Sequence, residues 1–194
     1  MSRLADLAWP DLATTGPASL LAVPIGATEQ HGPHLPLTTD TEVSIALCER
    51  FAAAKPGVVV APAVAYGSSG EHAGFPGTLS IGQAALELLV VELVRSAKAT
   101  FRRVLLVSAH GGNTECLRRA VDRLRAEGHD VRLFAPGGDG DAHAGRTETA
   151  LMLALRPQAV RAARAEPGDC RPIAELMPAL RQGGVRAVSP NGVL

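Results

Sequence analysis

The chain has 194 residues, 46% of them apolar and 20% charged, with 19 basic and 19 acidic side chains. That length holds one sizeable core and is short for two, so a single domain over 1–194 is expected. Balanced charge supplies no basic field for nucleic acid or an anionic membrane, and 3% aromatics leaves little for base stacking. The opening "MSRLADLAWPDLA" carries Asp6 and Asp11 and no continuous apolar stretch, so it does not read as a signal peptide. "LLAVPIG" (20–26) follows as a first strand. Val43, Ala46, Leu47, Arg50, Phe51 and Ala54 then recur at helical spacing. "VVVAPAV" (58–64) reads as a strand, and Leu86, Leu89, Val90, Leu93 and Ala97 as a helix. Next come the strand "RVLLVSA" (103–109) and a helix through Leu117, Ala120, Val121 and Leu124. Asn113 or Thr114 suits its N-cap, and Gly128 lies just past its end. "VRLFAP" (131–136) is a further strand, "PGGDGDAHAG" (136–145) a loop, and "HAGRTETALML" enters a fourth helix. "VRAARAE" (160–166) reads as a last strand.

Strands with near-continuous Val, Leu and Ile are buried on both faces, as in parallel sheets. Alternation with helices therefore predicts an α/β fold in three layers: a mostly parallel central sheet with helices on both faces and right-handed crossovers. No apolar run approaches the roughly 20 residues that span a bilayer. The three cysteines (Cys48, Cys116, Cys170) are widely spaced with no CxxC, which suits a reduced, cytoplasmic protein.

Polar residues gather where these strands end. Glu29 and His31, two apart just beyond "LLAVPIG", share one side if the chain is still extended. His110 in "SAHGGN" follows another strand end. Ligands of open α/β sheets bind outside the carboxyl ends of the strands, so acid and imidazole groups arrive at one edge. Asp40 closes the first loop, and His143 and Glu148 stand at the start of the fourth helix. Imidazole and carboxylate without thiolate suit Zn²⁺, Mn²⁺ or Fe²⁺. Each residue also has a plain reading. Asp40 suits helix capping, Glu148 is favoured by a helix dipole, and Gly111 and Gly112 serve a tight turn.

The blocks "VPIGATEQHGPHLPLTTD", "GSSGEHAGFPGTLSIG", "SAHGGN" and "HAGRTETALML" resemble, in order, four motifs of the creatininase family of metal-dependent amidohydrolases. The tail "RPIAELMPALRQGGVRAVSPNGVL" is similar to a branch of that family acting on a ribosomally made precursor peptide. The resemblance implies two divalent ions per subunit (Zn, Fe or Mn). Glu29 and His110 would hold one, His31 the other, and Asp40 would bridge them. The family places a glutamate where this chain has Gly112, and Glu148 is the nearest candidate to replace it. His143 matches a residue near the substrate that shuttles protons, and Glu148 is a second candidate for that role. Glu71 and His72 lie in a loop resembling the substrate-side wall, and His34 is expected to orient the loop or a ligand.

The implied chemistry is amide hydrolysis, with cations that acidify water and polarise the carbonyl and a side chain that protonates the leaving nitrogen. The substrate implied is a modified ribosomal precursor peptide, cut near its C-terminus to release a fragment derived from its last Val-Tyr pair. A creatinine-like cyclic amide or a formamide is the alternative within the family, and a metal-stabilised binding protein without turnover is the alternative outside it. Creatininase proper closes tryptophans over its small substrate, whereas this chain has only Trp9. The resemblance also implies a symmetric homo-oligomer, hexamer or larger. The chain stops at "SPNGVL", where relatives usually continue with a Gly-Asp-Pro turn and a helix, so a shortened C-terminal segment is expected.

Overall fold

The computed structural model describes residues 2–13, 19–137 and 141–194. Its strands are β1 (Ser2–Arg3), β2 (Leu20–Ile25), β3 (Val58–Val60), β4 (Arg103–Ser108) and β5 (Asp130–Phe134). They form one sheet in the order β1-β3-β2-β4-β5 with every pairing parallel. The helices are α1 (Trp9–Ala13), α2 (Thr39–Ala54), α3 (Gly82–Ala97), α4 (Thr114–Ala126), α5 (Arg146–Leu155) and α6 (Ile173–Val188).

Period-2 alternation sorts the strand side chains between two layers. Leu21, Val23 and Ile25 of β2, with Val104 and Leu106 of β4, pack against Leu86 and Val90 of α3 and Leu117 and Leu124 of α4. Ala22, Val58, Val60 and Val107 point the other way, onto Cys48 and Ala52 of α2. The sheet is thus covered on both faces, which is why its inner strands read as unbroken apolar runs. β2 lies between β3 and β4, in register from Leu20 opposite Arg103 to Ile25 opposite Ser108. Met152 of α5 joins Val43 of α2 in a separate cluster with Leu35 and Val193. Leu176 and Val185 of α6 form another with Leu194.

Several expectations need correction. "VRAARAE" is not a strand: Ala162–Arg164 make a single 3-10 turn on the surface, where exposed alanines and arginines bury nothing that would reward sheet pairing. The strand in "VVVAPAV" ends at Val60, and Val64 keeps one further bridge to Ile25. Asn113 precedes α4 but makes no side-chain cap; its amide donates to the Gly26 carbonyl and to Ser108 Oγ, and its Oδ1 accepts from the Ser68 amide. It therefore ties three loops together at the carboxyl edge of the sheet. β1 and α6 were not anticipated from the sequence. Part of the loop expected at 136–145, residues 138–140, lies outside the described residues.

Leu106 is fully buried in β4 between α3 and α4. Truncating it removes transfer energy and leaves a cavity, so Leu106→Ala should lower unfolding free energy by about 2–5 kcal/mol in chemical denaturation.

Candidate metal centre

The carboxyl ends of β2 and β4 and the start of α2 converge on one buried cluster. Glu29 and His31 follow β2 and are both 0% exposed. Asp40 is the second residue of α2, and its side chain turns to the cluster instead of capping the helix, whose N-cap is Thr38. Asp40 Oδ1 lies 3.3 Å from His31 Nε2, and its Oδ2 lies 3.3 Å from His110 Nδ1. Glu29 Oε2 is 3.2 Å from His110 Nε2, and Glu29 Oε1 is 3.1 Å from His72 Nε2. Glu148, in the first turn of α5, accepts from the Ala144 amide at 2.6 Å and brings Oε2 to 3.9 Å from His31 Nε2.

Two candidate ligand triads emerge, Glu29–Asp40–His110 and His31–Asp40–Glu148, each with donor atoms within 4.8 Å of one another. They share Asp40. A third grouping joins Glu29, His31 and His143. The imidazoles are oriented as metal-binding histidines usually are, with the second ring nitrogen held by a backbone carbonyl. His31 Nδ1 donates to the Glu29 carbonyl at 3.1 Å, and His110 Nε2 to the Ser68 carbonyl at 2.9 Å. That leaves His31 Nε2 facing Asp40 and Glu148, and His110 Nδ1 facing Asp40.

The donor set fits divalent cations on a further ground. Both Glu29 carboxylate oxygens and Asp40 Oδ2 are buried without a directed hydrogen bond, although imidazole nitrogens stand nearby off the N–H line. Unpaired buried carboxylate oxygen is costly unless a cation compensates it.

Protonation shows the same tension. Burial lifts the Glu29 carboxyl to about 8, against the pull of His110. Burial opposes charge on His31, yet the Asp40 carboxylate, with Glu148 and Glu29, raises it to about 10. Burial likewise works against Asp40, but His31 and His110 hold that carboxyl below its ordinary range. His110 is raised by Glu29 and Asp40 in spite of its burial, and burial raises Glu148. His72 falls to about 3 through burial and the neighbouring His110 and His31. His143 is held well below its usual value by burial, His31 and His72. A proton on His31 Nε2 thus stands where imidazole, Asp40 Oδ1 and Glu148 Oε2 would share a cation.

The remaining expected residues divide. His143 packs its ring 4.4 Å from those of both His31 and His72, at the floor of a cavity. His72, expected on the substrate wall, is 3% exposed; it borders the same cavity and also lies against Glu29. Glu71 remains on the cavity wall, with Oε1 3.6 Å from His110 Nε2. A Cβ at Gly112 would meet Glu71 Oε1 at 2.1 Å, so the missing side chain there is what lets Glu71 occupy its place. His34 does not reach the cluster; its Nε2 pairs with Thr149 Oγ1 at 2.8 Å and ties the loop to α5. Trp9 is exposed in α1 and does not line the cavity. The sequence reading missed Gln30 and Ser68, whose polar groups hold the imidazoles in place; only their adjacency to "EQH" and "GEH" could have flagged them.

The cavity measures about 850 Å³, and Met177 and Leu180 of α6 line it together with His110 and His143. Residues 5–194 match the model of the creatininase family, described as creatinine amidohydrolase. The chain belongs to the creatininase family of amide-bond hydrolases. It is 50% identical to the "Mycofactocin precursor peptide peptidase" of Mycobacterium ulcerans (strain Agy99), over 94% of this chain and 76% of that protein. It is 53% identical to the protein of the same name from Mycolicibacterium smegmatis, over 90% of this chain and 73% of that one. Among solved structures, "Creatininase Mn" superposes with a TM-score of 0.72 at 30% identity, covering 89% of this chain and 80% of that one.

The shifts set a pH signature for the metal-free protein. Folded-state values raised from 4.5 to about 8 (Glu29) and from 6.5 to about 10 (His31) mean that the native state holds extra protons in those windows. The stability they confer is complete below the unfolded values and is lost as pH rises through the folded ones. Melting temperature should therefore fall between about pH 6.5 and 10 with chelator present, and fall less with Zn²⁺, which replaces those protons. Parallel thermal melts across that range, with and without Zn²⁺, provide the check.

Proposed function

We propose that this chain is a metal-dependent peptidase that cuts the mycofactocin precursor peptide near its C-terminus and releases the fragment derived from the last Val-Tyr pair. The observation that carries the reading is the pair of ligand triads sharing Asp40 at the strand ends, taken with the identity to the two mycobacterial peptidases. Glu29, Asp40 and His110 would hold one divalent ion, and His31, Asp40 and Glu148 a second, with zinc, iron or manganese as candidates. When bound, such ions acidify water and polarise an amide carbonyl.

The chain's own groups supply the rest. His143 Nδ1 faces the cluster 3.9 Å from Glu29 Oε1, a place from which it can take up a proton and pass it to the leaving nitrogen. Glu148 is the second candidate for that proton, though its contact with the Ala144 amide favours a holding role. Glu71 borders the cavity, and α6 contributes Ile173, Met177 and Leu180 to its wall. The cavity's size and its apolar wall of Ile173, Met177 and Leu180 suit a peptide segment better than a small polar ring. We further take residues 1–194 as one catalytic domain working as a homo-oligomer in the cytoplasm. Among the described residues no helix is long and apolar enough to cross a membrane.

The test is mass spectrometry of the modified precursor peptide incubated with metal-loaded protein and with a chelated control. Metal-dependent loss of the C-terminal fragment is expected. An intact peptide with metal confirmed bound would turn the assignment to a cyclic amide or formamide. Two substitutions dissect the site: Asp40→Ala should abolish binding of both ions, because both triads use it, whereas His143→Ala should keep metal content and reduce cleavage by a factor of about 10²–10⁴. Metal content by elemental analysis beside the cleavage rate separates the two effects.

A further inference from the structure

Gln30 lies between Glu29 and His31, is 5% exposed, and has all its polar groups engaged. Its amide N–H donates to Thr78 Oγ1 at 3.1 Å, and its side-chain Oε1 accepts from the Gly32 amide at 2.8 Å. Its carbonyl accepts from His143 Nε2 at 2.8 Å. Side-chain Nε2 carries two protons and has three neighbours: His72 Nδ1 at 2.9 Å, the Gly192 carbonyl at 3.1 Å and His143 Nε2 at 3.1 Å. His143 Nε2 already spends its proton on the Gln30 carbonyl and cannot also accept. The two amide protons therefore go to His72 Nδ1 and to Gly192.

This account fixes where each ring carries its proton. With Nδ1 accepting, neutral His72 is protonated on Nε2, the atom 3.1 Å from Glu29 Oε1. With Nε2 donating, neutral His143 presents a bare Nδ1 to the cluster. We propose that Gln30 is a positioning residue that sets these two tautomers, so that His72 carries its proton on Nε2, the ring nitrogen nearest the Glu29 carboxylate, and His143 offers a lone pair. Both rings stay neutral, and only the nitrogen that bears the proton is chosen. A bare Nδ1 must accept a proton before it can give one, which orders the two halves of the transfer. The closing segment braces the device: a Cβ at Gly192 (φ +81) would lie 1.9 Å from Gln30 Oε1, so only glycine lets that carbonyl reach the amide.

The inference rests on reading Glu29 as a metal ligand, and the experiment keeps the two apart. Zinc-loaded protein labelled with ¹⁵N-histidine is compared with Gln30→Met, which keeps the shape and removes the donors. Long-range proton–nitrogen NMR, assigned with a His72→Asn variant, should find Nε2–H on both His72 and His143 in the wild type. In Gln30→Met the His72 proton should redistribute to Nδ1, and zinc affinity should fall about 10- to 100-fold. Zinc uptake with Nδ1–H on either wild-type ring overturns the role of Gln30 alone, and does so even if the variant fails to fold. An unchanged His72 tautomer with zinc affinity within about twofold in the variant overturns it equally. Wild-type protein that takes up no zinc removes the metal reading and the positioning role with it.

Discussion

The structure depends on burying carboxylates beside imidazoles at one edge of a parallel sheet. Glu29 and Asp40 are at most 2% exposed, and taking such charges out of water costs several kcal/mol each unless they are compensated. In the free protein the compensation is protonic, through His31 and His110 and a Glu29 carboxyl that burial pushes toward neutrality. Divalent ions would do this more completely. The same packing that makes the cluster expensive would serve hydrolysis there, because a buried, carboxylate-rich site strengthens every charge placed in it.

The fold around it exists to deliver those groups. β2 and β4 pair along their full length, so the residues that follow them, Glu29 and His31 on one side and His110 on the other, emerge side by side. α2 then returns Asp40 across the same edge, and α5 adds Glu148. Asn113 stitches the loops after β2, β3 and β4 with a single side chain. α6 supplies Ile173, Met177 and Leu180 to the wall of the adjoining cavity.

How much of this the sequence disclosed depended on periodicity. β2 and β4 were legible because both faces are buried, and α2, α3 and α4 because their apolar residues keep one face. α6 was not, since Pro178 and the non-helical Gly184 interrupt it and only Leu176 and Val185 are fully buried. β1 is two exposed residues long and has no pattern to read. In the site, Glu29 and His31 announced themselves by spacing, and Asp40 lay within reach. The approach of His72 to Glu29 was invisible, because the loop from 65 to 81 has no period and its path is set by contacts such as Leu79 to Thr28. Gly112 drew notice as an absence, and only the fold reveals Glu71 in the space it leaves.

The strand order bears on how the protein is made and lost. β2 must wait for β4, some 80 residues downstream, before its central pairing closes, and such non-local parallel pairings form slowly. Candidate ligands from residues as far apart as 29 and 148 meet only after that step. An ion that recognises only the assembled edge has little to hold in the folding transition state, so it leaves the folding rate alone and slows unfolding instead. For this chain, a bound cation would act chiefly as a clasp on native lifetime, and starvation for metal would be felt as faster turnover of finished protein and not as failure to fold.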